Sequence, residues 1–431
     1  MKKINNNALK NMLHPFVYRN YRLFFVGQSI SLVGTWIQQV AMSWLVYRLT
    51  DSALMLGVVG FVSQIPIFFL SPFAGVITDR YSKHRLLLVT QILFMAQAFL
   101  MAFLTFAGII TVWQILLLGF FLGCITSLDT PARHSFLIQM VEHKEVLGNA
   151  IALNSIMFNA ARLIGPSIAG ILIAIAGEGV CFFINGISFS AVIVSLLLMN
   201  VKRQQEVLKH PNVLHSMKEG FVYAFKFVPM RLILILLGFI SFMGMSSAVL
   251  MPVFAKDILH GGPETLGFLM GAIGVGALFG TIYLAAQKKI FRLDGMMPVA
   301  SGIFGMGLIL FSFSDQLWIS VFLLLFVGFG FMVHMALSNT ILQTIVDDDK
   351  RGRVMSFYTM AFLGMTPLGS LFAGGLASRL GAVNTLVVSG VLCIVASLLF
   401  ASKIKSIREI IHPIYEKIEI IPDVDAVIDT K

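Results

Sequence analysis

Charge is what this chain has least of. Asp, Glu, Lys and Arg make up 12% of its 431 residues, against about 25% in an ordinary soluble domain. With 58% of residues hydrophobic, one water-soluble core could not hide the apolar surface. A bilayer removes that requirement, because lipid asks for no polar exterior. Cysteine is scarce as well. Cys124, Cys181 and Cys393 all fall inside apolar runs, so they read as small core residues, and a disulfide scaffold is not implied. Metal and nucleotide signatures are missing. Asp347-Asp348-Asp349 lacks calcium-loop spacing, and Gly274-x-Gly276-x-x-x-Gly280 lacks the strand and spacing of a nucleotide fingerprint. No ATP-binding motif appears, so no metal or cofactor is expected, and any work must come from an ion or solute gradient.

The net charge of +10 does not point to nucleic acid, because the basic residues sit in short segments between long apolar runs. The first twenty residues are polar and basic, and the first apolar stretch is long enough to span. No cleavable leader is therefore expected. Runs of about twenty apolar residues give twelve spans: 21–48, 53–78, 86–107, 110–129, 146–176, 179–200, 230–255, 264–287, 296–314, 316–345, 353–378 and 381–401. Turn-forming triplets such as Thr50-Asp51-Ser52 and Gly261-Gly262-Pro263 separate the tighter pairs.

Loop charge tests this count independently. With both termini cytoplasmic, 27 of the 31 Lys and Arg fall on the cytoplasmic side. Arg48, Lys256 and Arg379 fall on the other side, and Arg162 lies within a span. A missed or invented helix would scramble this alternation, so the positive-inside bias supports the count and the orientation. The expected fold is an all-α membrane protein of the inner membrane. Residues 1–200 form one six-helix half, 201–229 a cytoplasmic linker, 230–401 a second half and 402–431 a cytoplasmic tail. A shift of 204 residues places Gln139, Gly148, Gly165, Gly170 and Leu172 on Gln343, Gly352, Gly369, Gly374 and Leu376. That match suggests duplication, and two pseudo-symmetric halves enclosing a central site is a transporter architecture.

The segment Gly75-Val-Ile-Thr-Asp79-Arg80-Tyr-Ser-Lys83-His-Arg85 resembles the signature loop of the major facilitator superfamily. It carries Ser82 where a second glycine is usual and Ile77 where leucine is usual. The resemblance implies that Asp79 docks on the start of helix 11, near Gly352 and Arg353, and holds the cytoplasmic side shut. It also makes Asp129, ending span four, the second acid, with Arg80 or Arg85 as partner. Arg162-Leu-Ile-Gly165-Pro166-Ser-Ile-Ala-Gly170 is similar to the glycine-proline motif of antiporters and exporters, with Ala161 replacing its first glycine. Physically, these glycines allow close helix contact, and Pro166 frees a backbone carbonyl.

Three further stretches resemble exporters related to the enterobactin exporter and macrolide efflux pumps: Phe16-x-x-Arg19-Asn20-Tyr21-Arg22, Asp129-x-Pro131-x-Arg133 and Arg351-Gly352-Arg353-Val-Met-Ser356. The resemblance runs from about residue 15 to 400. It implies a secondary exporter of a siderophore or amphiphilic drug-like molecule, with proton antiport as one means of coupling. An importer of the same fold is the alternative. A membrane enzyme would need converging acids, bases or ligands at depth, which the spans do not offer.

Candidate substrate contacts follow from cost. Arg162 is the one charged residue near the middle of a span, and an arginine there costs roughly 2.5–3.5 kcal/mol on insertion scales. It shares a helix face with Ser155 and Asn159. Span one carries Gln28, Ser31, Thr35 and Gln39 on one stripe beside Trp36 and Gln38. That pattern fits a wet cavity or a polar seam between helices. His334, with Ser338 one turn on, is the one histidine within a span; it is a candidate substrate or proton contact. The partners expected are a small-molecule substrate and membrane lipid, with no nucleic acid and the chain acting as a monomer.

Overall fold

A computed structural model describes residues 13–141, 144–200, 213–287, 293–347 and 350–417. Among them, every regular element is helical. We number the helices α1 (Arg19–Thr50), α2 (Ala53–Arg80), α3 (Lys83–Phe106), α4 (Val112–Met140), α5 (Lys144–Ala176), α6 (Glu178–Leu198), α7 (Val213–Lys226) and α8 (Val228–Val253). They continue as α9 (Pro263–Ala285), α10 (Leu293–Ser312), α11 (Leu317–Ile345), α12 (Arg351–Leu363), α13 (Met365–Leu380), α14 (Ala382–Ala401) and α15 (Ile404–Lys417).

Eleven segments among the described residues are long and apolar enough to cross a membrane. The twelfth, α1, has 32 residues and falls outside that set because its polar stripe dilutes it. With α12 and α13 counted as one span and α1 added, the described residues hold twelve helical segments of crossing length, consistent with the expected twelve. Large apolar side chains stay bare on their outer faces; Trp113 is 80% exposed and Ile175 79%. On a water-soluble protein such a girdle would drive aggregation, whereas in lipid it is the solvated surface.

Two spans differ from expectation. The fourth was expected to end at Asp129, but α4 runs on to Met140 because Ala132, Phe136, Leu137 and Met140 pack into a buried cluster with Tyr21 and Leu87. Asp129 and Arg133 thus lie inside a helix. The eleventh span is broken at Gly364 into α12 and α13. Pro367 lacks the N–H that would bond the carbonyl of Leu363, so the ladder fails there. Beside the break, the Thr366 hydroxyl donates to the carbonyl of Phe362 at 3.1 Å.

The chain forms two compact units. The first holds α1–α6 together with the segment Met251–Gly271. In it α1 packs on α5 and α6, α2 on α4, and α3 on α4 and α6. The Met251–Gly271 segment is fastened there at several points. Tyr47 donates to Asp257, Lys256 pairs with Asp51, and Gly267 meets Gly170 backbone to backbone. The second unit takes α7, α8 up to Leu250 and the chain from Ala272 onward. In it α10 packs on α11 and α14, as α3 packs on α4 and α6.

Close approaches at the glycines of the expected repeat are alike in the two units. A Cβ on Gly165 would strike Trp36, and one on Gly369 would strike the backbone of Phe242. The equivalent glycines of the repeat thus let the fifth helix of each half lie against the first.

Outside the spans, α7 docks on α12 within the second unit. Arg353 donates to Glu219 at 2.7 Å, and Tyr223 donates to Asp347 at 3.0 Å. Burial pushes the Tyr223 phenol above its ordinary pKa, so it remains a donor at neutral pH. The tail expected after Ser402 contains α15, which buries Ile407, Ile411 and Tyr415 against α10 and α11.

Candidate transport site

The middle of the first unit carries the polar groups. Arg162 sits near the centre of α5, about 27 Å along the axis from its first residue and 21 Å from its last at 1.5 Å per residue. Its guanidinium lies over the Trp36 ring, 5.9 Å from the centroid, and Trp36 meets Phe158 edge to face at 6.0 Å. Trp36 and Arg162 are half-buried, while Phe158 is exposed. Gly165, one turn beyond Arg162, is the seat of the indole, because a side chain there would occupy the position of the Trp36 Cβ. Pro166 is buried, and its carbonyl faces Gly267.

The stripe on α1 divides. Gln28 and Ser31 are buried, whereas Thr35 and Gln39 are exposed. Asn159 is half-buried on α5. Thr35, Ser155 and Asn159 each donate to a carbonyl four residues back on their own helix. Among the described residues, Arg162 makes no hydrogen bond or ion pair. His334 lies in the second unit, fully buried, with Nδ1 2.8 Å from the Ser301 hydroxyl and Nε2 unpartnered.

The gating candidates fall on several elements. Arg80 ends α2 and Arg85 opens α3, both exposed. The surroundings of Gly75 and of the Asp79 side chain lie outside the described residues. Asp129 corrects the expectation that Arg80 or Arg85 pairs with it. It is 0% exposed and accepts from Thr90 and Gln91, both at 2.8 Å, and from Arg133 one turn along its own helix. The physical reason is depth. Because α4 runs past Asp129, the carboxylate lies inside the helix against α3, and Arg133 of the same helix stands where a loop arginine was expected. Gly352 is exposed, and Arg353 is engaged by Glu219.

A second polar cluster was not foreseen. Gln38 donates to Gln97 at 3.0 Å and accepts from Asn185 at 2.8 Å, tying α1, α3 and α6 with every member buried. Gln38 is therefore part of a seam. Lone amides in apolar runs at 97 and 185 were the available signal. Arg48 and Glu178 form a bidentate pair at 2.7 and 3.2 Å, with Glu178 nearly buried. The first residue after a Gly177 turn was the only hint of it.

Comparison with known proteins agrees with this architecture. The pattern of the transmembrane secretion effector family matches residues 10–417. The staphyloferrin A transporter of Staphylococcus aureus is 27% identical over 380 residues, covering 88% of this chain and 95% of that protein. Macrolide efflux protein A of Streptococcus pyogenes is 21% identical, covering 88% and 95%. Among solved structures, a bacterial homologue of the iron transporter ferroportin aligns with a TM-score of 0.65 at 15% identity, covering 90% of this chain and 98% of that one. The nucleoside transporter NupG aligns at 0.67 and 13%, covering 90% and 98%. These two show the fold. This multi-span membrane protein is a transporter, and it belongs to the transmembrane secretion effector family of the major facilitator superfamily.

Proposed function

We propose that the chain is a secondary exporter of the bacterial inner membrane. It moves a siderophore or an amphiphilic drug-like molecule out of the cytoplasm by alternating access, as a monomer with both termini cytoplasmic. The observation that carries this reading is Arg162 at the centre of α5, half-buried over Trp36 and unpaired among the described residues. An arginine at that depth is unfavourable unless water or a ligand receives its donors, which is the condition inside a solute pathway. Gln28, Thr35, Trp36, Gln39, Asn159 and His334 complete the proposed substrate contacts. Gly75, Asp79, Arg80, Arg85, Asp129, Gly165, Pro166, Gly352 and Arg353 form the proposed gating set. The outward direction is supported by the Gly165-Pro166 motif and by relatives named for efflux.

Direction and coupling are tested together in inside-out membrane vesicles. An exporter concentrates its solute inside them, and collapse of the proton gradient abolishes that if protons drive it. Right-side-out vesicles that concentrate the same solute instead would make the protein an importer.

A further inference from the structure

The proposed pathway holds a positive charge with no counter-ion of its own. Residues 23–47 of α1 contain no charged side chain, and within residues 146–176 of α5 Arg162 is the sole charge. Glu178, at the start of α6, is held by both arms of Arg48. The hydroxyls of Thr35 and Ser155 and the amide of Asn159 donate to their own helices. The Arg162 fork is therefore the one charged donor group at this level of the first unit, and no hydrogen bond among the described residues holds it. Beside it stand two aromatic rings packed edge to face, Trp36 and Phe158, of which Phe158 is exposed.

We infer that this cluster binds an organic anion: a carboxylate received by the Arg162 guanidinium, carried next to a flat apolar group that rests on Phe158 and the edge of Trp36. A guanidinium presents parallel N–H donors that match a carboxylate. Aromatic faces and edges supply contact for the apolar part. A cationic solute is disfavoured on two counts. Arg162 repels it, and the indole face that would attract it is occupied by the guanidinium. Gly165 acts as a positioning residue, since only a position without a side chain leaves room for Trp36. The inference rests on the reading of this region as a solute pathway and adds the sign of the solute's charge.

The test uses two dyes that share one fluorophore and differ in charge, the anion dansylglycine and the cation dansylcadaverine. Both are titrated near neutral pH against the full-length protein in lipid nanodiscs. Dansylglycine should bind at least about tenfold more tightly, and Arg162→Gln should bring the two within about twofold. Arg162→Lys should keep an intermediate preference, because lysine retains the charge without the fork. Equal or tighter binding of dansylcadaverine, no saturable binding of dansylglycine, or an anion preference that survives Arg162→Gln would each overturn the assignment. If Arg162→Gln fails to accumulate, the wild-type preference and its reduction in Arg162→Lys still decide. Vesicle transport separates this from the export reading. A protein that binds the anion but moves neither dye loses the export reading and keeps the site. One that exports dansylcadaverine without an anion preference keeps export and loses the site.

Discussion

Replacing Asp129 by asparagine changes one oxygen and should unsettle the packing of α3 on α4. The carboxylate is fully buried, with Thr90 and Gln91 donating to Oδ1 and Arg133 donating to Oδ2. Arg133 needs an acceptor in any arrangement, whereas Thr90 can fall back on the Leu87 carbonyl at 2.9 Å and Gln91 holds an unpartnered amide oxygen. An asparagine amide offers one oxygen and one NH2, so it leaves Arg133 without a counter-charge and forces the Thr90 and Gln91 bonds to rearrange. Breaking a buried ion pair from one side costs about 3–5 kcal/mol. Arg133 is 24% exposed, which lets water reach part of its charge, so we expect about 2–4 kcal/mol here. Removing both charges should hurt less than the sum, because Arg133→Leu no longer leaves a cation to satisfy. The Asp129→Asn/Arg133→Leu cycle should yield a coupling of about 2 kcal/mol. Since heating a membrane protein is seldom reversible, the readout is the fraction remaining monodisperse by fluorescence-detected gel filtration after graded heating. Asp129→Asn should lose several degrees, and the double variant should melt close to the worse single. Strictly additive losses would mean that the pair carries no interaction energy and that the network is misassigned.

Other outcomes can be checked in parallel. Reporter fusions after α6 and after α14 should both read as cytoplasmic; an external reading after α6 would sink the topology. Gly165→Val should displace Trp36 and reduce both thermal stability and export, while Gly352→Ala, whose added methyl meets nothing, should be neutral for stability. Arg48→Ala strips both donors from the nearly buried Glu178 and should cost about 1–3 kcal/mol, with Arg48→Ala/Glu178→Gln recovering part of the loss in the same melting assay. Asp79→Asn should leave the protein inserted and cut export in vesicles; normal export would remove Asp79 from the gate.

The membrane fold was legible because bilayer thickness and loop charge are read one segment at a time. Twenty apolar residues and a basic flank mean the same thing wherever they stand. The failures came where one residue's effect depends on a partner far along the chain. The span ending at Asp129 looked closed by an acid and a proline, yet Phe136, Leu137 and Met140 find Tyr21 and Leu87 and carry the helix onward. The break at Gly364 had a local cause in Pro367, but proline inside α4, α5 and α10 leaves those helices unbroken. A proline shows where a helix has lost a bond; only its neighbours decide whether the helix also parts.

The site was legible to the extent that burial cost is local. Arg162 stands out in any reading, because nothing else in residues 146–176 carries charge. Its companion was legible as well, since Trp36 lies beside the polar stripe of α1. What the sequence did not disclose is how that stripe divides. Gln38, one residue from Gln39, turns into a buried seam with Gln97 and Asn185, while Thr35 and Gln39 stay exposed. Helical periodicity separates neighbouring residues by about 100°, enough to send one amide toward a partner helix and the next toward open space. It does not say which helix waits on which side. That knowledge comes from the glycines, since Gly34 lies against Ser188 and Asn185 while Gly165 lies against Trp36. Close approach at those two points turns Gln38 to α6 and Trp36 to α5, and so brings the indole under Arg162. A bulky residue at 34 should therefore disturb the Gln38 seam and leave the Arg162–Trp36 contact in place, while a bulky residue at 165 should do the reverse. Thermal melting should fall in both variants, so the ratio of dansylglycine to dansylcadaverine binding tells them apart: it is lost in Gly165→Val and kept in Gly34→Val. If Gly34→Val abolishes the dye preference as fully as Gly165→Val, the two clusters are one structure and the division drawn here is wrong.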